Sequence, residues 1–415
     1  MQNMIDYLSL HKDKLFKEIS FNEVDAAILT RLSYINFNGV LSSKRFGALP
    51  LNTVINNLLL MKDFDTRFHL DEDKKIIEIL RSSLRFKDCY VLAYVSDTNR
   101  EEEKQFSATT FKFVQKEDKF IFISFRGTDG TYTGWKEDFN MVYKDEIPAQ
   151  KQASSYIKNI LRMSSYKKIY VGGHSKGGNL AVYASSTLRS NIKKNIIKIY
   201  AFDSPGFSES FLKTKGFLTI KNKIYHYTPI SSIIGRLLNK DYISYIVDSK
   251  KSLLYQHNLY NWKVINISFI RKDKYTYVSN KIDDLLKTSL KNKSFEEKKA
   301  FVNELFEVLK DFSSDDNIDF GTSLLSFALR FNNVLKTKSE LTKSIIKSIF
   351  INKDMQDETN SIKKIDPLKN KKEKRSSLFS NLFIKPDKSK VILDIENKNN
   401  DGQNNKEIKE IENKH

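Results

Sequence analysis

Residues 168–184 read Lys-Ile-Tyr-Val-Gly-Gly-His-Ser-Lys-Gly-Gly-Asn-Leu-Ala-Val-Tyr-Ala, and this stretch decides the fold. A β-branched and aromatic run ends in Gly173-His174-Ser175-Lys176-Gly177, and an apolar helical pattern follows it. Glycines two positions before and after a serine let a strand and a helix approach closely around a sharp turn. The alternative is an ordinary glycine-rich turn, but the strand and helix flanks favour the first interpretation. Ser175 is therefore predicted to be a nucleophile at the end of a strand, beside the positive end of a helix dipole.

A serine nucleophile needs a base, which is almost always a histidine oriented by a carboxylate. Where a turn between a strand and a helix carries the nucleophile in this way, the acid and then the histidine follow the serine along the chain. His226, His257 and His415 follow Ser175. His415 ends a polar tail, and His226 lies inside a strand pattern, which favours a structural role. His257 lies in a late loop, where the base is expected, so it is the predicted base.

The acid is less sharply defined by the sequence. Asp203 ends the strand pattern Ile197–Asp203 and precedes a Ser-Pro-Gly turn, so it should lie at the carboxyl end of a central strand. An aspartate at such a position also caps its own turn in many proteins. Asp203 is the predicted acid, and three loop carboxylates before His257 remain alternatives, namely Asp241, Asp248 and Glu209.

An acyl-transfer site also needs two backbone N–H groups directed at the developing oxyanion. Lys176, the residue after the nucleophile, should supply one of them. The strand pattern that ends at Phe125 is followed by Arg-Gly-Thr, so Thr128 should supply the second, and its hydroxyl is a further donor. The alternative, a glycine-containing hairpin turn, is disfavoured because Trp135 then opens a helical pattern.

The chain changes character three times. Residues 1–80 have helical spacing of apolar residues, residues 81–275 alternate strands with helices, residues 276–350 return to helices, and residues 351–415 are predicted to be a disordered polar tail. Strands that alternate with crossover helices predict an α/β-hydrolase fold, with a mostly parallel central sheet, helices on both faces, and helical additions at both ends. The strand patterns are Cys89–Val95, Thr110–Val114, Lys119–Phe125, Lys168–Gly172, Ile197–Asp203, Lys223–Thr228 and Lys263–Ile270. The clearest helices are Glu23–Leu32, Leu51–Met61, Ser154–Met163, Asn179–Arg189, Ile282–Leu290, Phe295–Phe312 and Ser323–Leu335.

These motifs together resemble a known family. Phe125-Arg126-Gly127-Thr128, Trp135, Asp138 and the Gly-His-Ser-x-Gly-Gly turn are similar to the class 3 (triacylglycerol) lipase branch of the α/β-hydrolases. A largely uncharacterised bacterial relative of these lipases is more similar still. It shares the Asp-Ser-Pro-Gly turn at 203–206, a Ser-x-x-Gly turn at 232–235, and Gln256-His257 followed by Trp262. The resemblance covers about residues 20–265. It implies ester hydrolysis, with Thr128 as the oxyanion residue.

One segment departs from the class 3 pattern. Those lipases carry their acid in an Asn-Asp-x-Val-Pro-like segment, whereas the corresponding stretch here, residues 227–233, reads Tyr-Thr-Pro-Ile-Ser-Ser-Ile and has no carboxylate. The acid must then come from elsewhere, and Asp203 is the substitute that we predict.

Composition bounds the partners and the compartment. The formal net charge is +19, which favours contact with polyanions, although a generally lysine-rich composition also explains it. Residues 361–390 hold ten Lys or Arg against three acids around a Leu-Phe cluster, so the tail is a candidate for contact with an anionic membrane, while a solvated tail is the alternative. No nucleic-acid motif is present, so no nucleic-acid partner is expected.

A single cysteine, Cys89, and the lack of a signal-peptide pattern predict a cytoplasmic protein.

Two functional hypotheses follow. The first is a serine esterase or lipase that cleaves lipid or acyl esters through Ser175, His257 and Asp203, with no metal or cofactor because the triad chemistry needs none. The second is a catalytically weak or inactive scaffold that binds a membrane or a protein partner, motivated by the missing acid segment and the basic tail.

Overall fold

The computed structural model describes residues 2–41, 47–99, 101–102, 104–115, 118–128, 137–138, 140–163, 166–251, 253–291, 293–310, 339–340 and 343. Every described residue belongs to one compact unit, Met1–Pro367. The predicted helix Ser323–Leu335 and the predicted disordered tail 351–415 lie outside the described residues.

The helices of the described part are mostly those that the apolar spacing predicts. α2 has the predicted bounds, and the side chain of Asn22 caps it by accepting from the N–H of Val24 at 2.9 Å. α5 begins earlier than predicted because Pro148 occupies its first turn, where a missing N–H costs nothing. The helices are α1 Met4–His11, α2 Glu23–Leu32, α3 Leu51–Leu59, α4 Asp71–Arg81, α5 Pro148–Arg162, α6 Lys176–Ser186, α7 Ser190–Lys193, α8 Glu209–Leu212, α9 Lys215–Leu218, α10 Tyr277–Leu290 and α11 Phe295–Lys310.

The central sheet is mixed: five consecutive strands are parallel, as the sequence predicts, and the outer strands on both sides pair in antiparallel fashion. Its strand order is β1-β2-β3-β4-β5-β6-β7-β8-β11; β4 to β8 pair in parallel and the remaining pairs are antiparallel. Only short connections separate β2, β3 and β4, too short for the crossover that a parallel pair needs. The strands are β1 Leu49–Pro50, β2 Cys89–Asn99, β3 Lys104–Gln115, β4 Asp118–Phe125, β5 Ile169–His174, β6 Ile196–Phe202, β7 Ile224–Pro229, β8 Ile243–Val247, β9 Val264–Ile265, β10 Ser268–Phe269 and β11 Arg271–Lys272.

The sequence pattern predicted that Lys263–Ile270 is one strand of the sheet, and this prediction is wrong. The region forms the separate two-stranded hairpin β9–β10. Asn266 turns the chain between the two strands with a φ of 52°, a left-handed conformation that asparagine tolerates. The missed strand β8 takes the place next to β7 instead.

Helices pack on both faces of the sheet. Alternate side chains of β4 point to opposite faces, so Phe120 and Phe122 join the core under the N-terminal helices while Ile121 and Ile123 join the core under α5 and α6. The first core includes Val24, Ile28 and Leu32 of α2, together with apolar residues of α1, α3 and α4. The N-terminal segment is therefore part of the body of the domain.

Two buried ion pairs fix the N-terminal helices. Arg85 pairs with Asp25 at 2.6 Å, and Arg31 pairs with Asp73 at 2.7 Å, all four side chains being nearly inaccessible. Tyr260, next to the predicted base loop, also donates to Asp73 at 2.7 Å. Because one unpaired buried charge is costly, these pairs hold α2 and α4 in one arrangement against the chain around residue 260.

Candidate active site

The predicted site residues lie at one edge of the sheet. β4, β5, β6 and β7 run in parallel, so their carboxyl ends share an edge. Thr128 follows β4, Ser175 follows β5, and Asp203 follows β6. His257 comes after β8, in a 3₁₀ helix that spans Leu253–His257. Ligands of open parallel sheets bind at this edge, because the loops that leave it converge there.

Ser175 occupies a strained turn between β5 and α6. Its φ of 58° and ψ of −133° lie in a region that residues with a Cβ rarely adopt, and its N–H donates to the carbonyl of Phe202 at 2.9 Å. A Cβ on Gly173 would lie 2.2 Å from the carbonyl carbon of Gly177. Both glycines are thus needed for the close approach of strand and helix, as the G-x-S-x-G spacing predicts.

Asp203 and His257 are in direct contact. The Asp203 carboxylate lies 2.6 Å from Nδ1 of His257. Asp203 is 1% exposed and the His257 side chain is 25% exposed, so a buried acid orients a ring that solvent reaches. With Nδ1 facing the carboxylate, Nε2 is the nitrogen available to accept a proton.

The other candidates lie elsewhere. Asp241 pairs with Lys221 at 3.0 Å on the surface, and Asp248 pairs with Lys263 at 3.1 Å. The Glu209 side chain is 75% exposed. His226 is fully buried on β7, within 3.0 Å of the Ser204 carbonyl and of the Ser244 hydroxyl, and His415 lies outside the described residues.

The turn at 232–235 fixes the Asp203 carboxylate. The Ser232 hydroxyl donates to the second carboxylate oxygen at 2.5 Å and accepts the N–H of Gly235 at 2.9 Å. A Cβ on Gly235 would lie 2.1 Å from that carboxylate oxygen, so only glycine fits there. The Ser-x-x-Gly pattern therefore holds the acid next to the base.

The Gln-His segment is anchored by two hydrogen bonds to Gln256, the residue before the base. The side-chain oxygen of Gln256 accepts the N–H of Ser231 at 3.0 Å, and the Trp262 indole donates to the Gln256 carbonyl at 2.7 Å. Trp262 is fully buried. These contacts hold the backbone that carries His257.

A hydrogen-bonded chain that sequence reasoning missed links three of these loops. The N–H of Gly127 donates to the Tyr34 hydroxyl at 3.2 Å, and this hydroxyl lies 2.8 Å from Nδ1 of His174. Nε2 of His174 lies 2.8 Å from the His257 carbonyl, which only accepts, so Nε2 carries the proton and Tyr34 donates to Nδ1. Tyr34 lies 140 residues before His174, so no local signal points to it.

Two buried histidines make folding sensitive to acid. Burial is the main cause that lowers the pKa of His174 and of His226 well below the usual 6.5. The next cause is the charge of His257 for His174 and the charge of Lys240 for His226. The unfolded chain therefore binds more protons below pH 6.5, and stability falls with the pH in that range. Each histidine is expected to cost about 1.2 kcal/mol of unfolding free energy between pH 7 and pH 5.5.

Urea unfolding of the wild type and of His226→Asn at both pH values measures this effect. The variant should lose about 1.2 kcal/mol less on acidification than the wild type, because only the His174 contribution remains. Equal losses in the two proteins would show that His226 carries no proton linkage.

The loop after β4 lies against the nucleophile. A Cβ on Gly127 would lie 3.0 Å from Cβ of Ser175 and 2.6 Å from the His174 carbonyl. The hydroxyl of the next residue, Thr128, donates to the carboxylate of Asp138. Burial raises the pKa of Asp138 to about 6, against the lowering effect of the Lys176 charge. Thr128 and the N–H of Lys176, the first residue of α6, thus border Ser175 from two elements; Trp135 lies outside the described residues.

A mainly apolar pocket opens beside Ser175. Its apolar lining comes from the loops after β6 and β7 and from the segment before α5, namely Met141, Val142, Pro205, Ile234, Leu237 and Leu238. Asp138 and Lys176 are its charged members. Such a lining suits a substrate group without charge.

Metal-binding clusters and membrane-spanning helices are absent from the described ranges. No group of three or more His, Cys, Asp or Glu side chains there is arranged to hold a metal ion. None of the helices there has the length and hydropathy needed to cross a membrane.

Comparison with known proteins gives one family. Residues 80–307, more than half of the chain, match the family model described as Mbeg1-like. No curated protein matches the chain.

The solved structures that resemble the chain include two proteins described as lipases and the protein MDLA. The lipase of Rhizopus microsporus var. chinensis is 13% identical, with a TM-score of 0.33, over 66% of this chain and 83% of that one. A mutant form of the Penicillium cyclopium protein MDLA is 14% identical, with a TM-score of 0.36, over 59% and 83%. The Lip2 lipase of Yarrowia lipolytica is 13% identical, with a TM-score of 0.31, over 60% and 82%. Because the identities and TM-scores are this low, the likeness says nothing about the activity of this chain.

Proposed function

The chain belongs to the Mbeg1-like family, a lipase-like family, and from this premise we propose that it is a serine esterase or lipase with an α/β-hydrolase fold. Its substrate class is a carboxylic ester of a lipid or of another apolar acyl group. Ser175 is the nucleophile, His257 the base, Asp203 the acid, and the N–H groups of Thr128 and Lys176 form the oxyanion hole.

One observation carries the proposal. Asp203 lies 2.6 Å from Nδ1 of His257, at the edge of the sheet where Ser175 occupies its strained turn. A merely structural histidine would not need a buried carboxylate, a serine hydroxyl on that carboxylate, and two anchors on the preceding residue, Gln256. The missing acid of the class 3 pattern is supplied from the end of β6, and the loop after β7 supplies Ser232 to hold it.

The reaction proceeds in two steps. Nε2 of His257 removes the proton of Ser175 while the serine oxygen bonds to the ester carbonyl carbon, and the carbonyl oxygen becomes an oxyanion held by the two N–H groups. The oxyanion then collapses, the alkoxide leaves with the proton from His257, and an acyl-serine ester remains. Water, deprotonated by His257, attacks this ester and releases the acid and the free serine.

Labelling by a fluorophosphonate probe, together with hydrolysis of p-nitrophenyl esters of short to long chain, tests the proposal. The wild type should be labelled and should turn over at least one ester, and Ser175→Ala should lose both activities. Ser185→Ala is the matched control, because its buried hydroxyl also lies on α6 but donates to the Ala181 carbonyl at 2.7 Å. A wild type that is neither labelled nor active would favour the non-catalytic scaffold.

The cellular setting is a further part of the proposal. The single cysteine and the basic segment 361–390 support a cytoplasmic protein that contacts anionic membranes through its tail. Flotation with vesicles that contain phosphatidylserine, compared with purely phosphatidylcholine vesicles, tests this contact. Equal recovery with both vesicle types would contradict it.

A further inference from the structure

Lys176 has a side chain that the proposed reaction does not use. The residue follows the nucleophile, and its side chain is completely buried. Nζ donates to a carboxylate oxygen of Glu137 at 2.9 Å and to the Gln105 carbonyl at 3.1 Å, and it lies 3.6 Å from the Asp138 carboxylate. One ammonium therefore lies next to the carboxylates of two consecutive residues, Glu137 and Asp138.

Glu137 ties this ammonium to the framework. Its two carboxylate oxygens accept the N–H of Gln105, near the start of β3, at 3.0 Å and the N–H of Ala149, in the first turn of α5, at 2.9 Å. The ion pair with Lys176 thereby joins α6 to two neighbouring elements. Removing one partner of such a buried pair leaves an uncompensated charge.

Asp138 ties the same ammonium to the proposed oxyanion hole. Its carboxylate accepts the hydroxyl of Thr128, whose N–H is one of the two proposed oxyanion donors. Burial opposes the ionisation of Asp138, whereas the positive charge of Lys176 favours it. An ionised Asp138 offers only acceptors and thus holds the Thr128 hydroxyl in one orientation.

We propose that the Lys176 side chain positions the Thr128 half of the oxyanion hole, an inference that rests on the proposed function. The backbone N–H of Lys176 is one donor, and its ammonium fixes Asp138 and through it the Thr128 donor. The side chain thus acts on the transition state through Asp138 and does not touch the substrate.

The competing explanation is a purely structural ion pair with Glu137, comparable to the pair Arg31–Asp73 under the N-terminal helices. The two explanations differ in the partner that matters for activity. A structural pair acts through Glu137 and changes stability, whereas a positioning role acts through Asp138 and changes kcat.

A double-mutant cycle separates them. Lys176→Met and Asp138→Asn should each lower kcat about 10- to 100-fold, with KM within three-fold, because an oxyanion donor loses its fixed position. The double variant keeps the wild-type sum of charges over Lys176, Glu137 and Asp138, and its kcat should match that of D138N within three-fold. Binding of a boronic acid, whose adduct needs the hole, should weaken in parallel with kcat. Lys193→Met is the matched control, because this lysine is also buried but donates to the Gly216 carbonyl at 3.0 Å, away from the site.

Independent, multiplicative losses in the cycle would overturn the proposal, as would a K176M variant with wild-type kcat and lower stability. If K176M does not fold, D138N with wild-type kcat, or a double variant more than ten-fold below D138N, would overturn it equally. These outcomes are distinct from failure of the proposed function, in which the wild type itself shows no labelling and no turnover.

Discussion

Replacement of Asp203 by asparagine is expected to lower kcat for ester hydrolysis about 10⁴-fold with little change in KM. Asparagine keeps the shape of the side chain but loses the negative charge that orients and stabilises the protonated ring of His257. Because the buried carboxylate lies 2.6 Å from Nδ1 and accepts the Ser232 hydroxyl at 2.5 Å, the amide must also present its NH₂ to one of these groups. The measurement is kcat and KM on a p-nitrophenyl ester that the wild type hydrolyses.

Asp248→Asn and Asp241→Asn are the matched controls for this prediction. Both residues precede His257 and were open alternatives on the sequence, but both pair with lysines, Asp241 on the surface and Asp248 with a side chain that is only 13% exposed. Their variants should keep kcat within about three-fold of the wild type, since the carboxylate that contacts Nδ1 of His257 is that of Asp203. A large loss of kcat in D248N, with D203N nearly fully active, would show that Asp248 is the catalytic acid.

Local sequence patterns predict most of the elements that carry the site. The stretch 168–184 combines a strand pattern, a glycine-flanked turn and a helix pattern, and β5 and α6 lie where it puts them. β8 was missed because four of its five residues are exposed or only partly buried and polar loops flank it. The hairpin β9–β10 was predicted as one strand, since apolar content alone does not reveal a turn at Asn266.

The assembly of the site depends on contacts between distant segments. Sequence reasoning left four acids open for His257, and the fold brings one of them, Asp203, into contact with it from 54 residues away. Tyr34 and Glu137 carried no motif, because their roles arise only when loops after different strands meet at one edge. The catalytic roles of Ser175, His257, Asp203, Thr128 and Lys176 remain predictions. The Ser175 and Asp203 variants test the roles of those two residues directly.

Replacement of Gly177 by alanine is expected to destabilise the protein by at least about 3 kcal/mol, and the reason lies in the backbone packing of the turn after β5. A Cβ at this position would lie 2.1 Å from the carbonyl oxygen of Phe125 and 2.8 Å from the carbonyl carbon of Arg126. Both contacts are with backbone at the end of β4, which cannot rotate away as a flexible side chain would. To admit the methyl group, α6 must move away from the loop that carries Thr128.

Helix propensity alone predicts that Gly177→Ala stabilises the protein, which is opposite to the effect expected from the backbone contacts and makes this variant informative. Gly177 lies in the first turn of α6, and alanine in a helix is favoured over glycine by about 1 kcal/mol. Gly47→Ala is the matched control, because a Cβ there meets no atom of the described residues within 4 Å. This substitution should change the unfolding free energy by no more than about 0.5 kcal/mol. Urea unfolding of both variants compares the two effects. A stable G177A protein that retains ester turnover would mean that the strand–helix turn is looser than the contact at Phe125 implies, and the close approach of the loop after β4 to Ser175 would then not be required for the reaction.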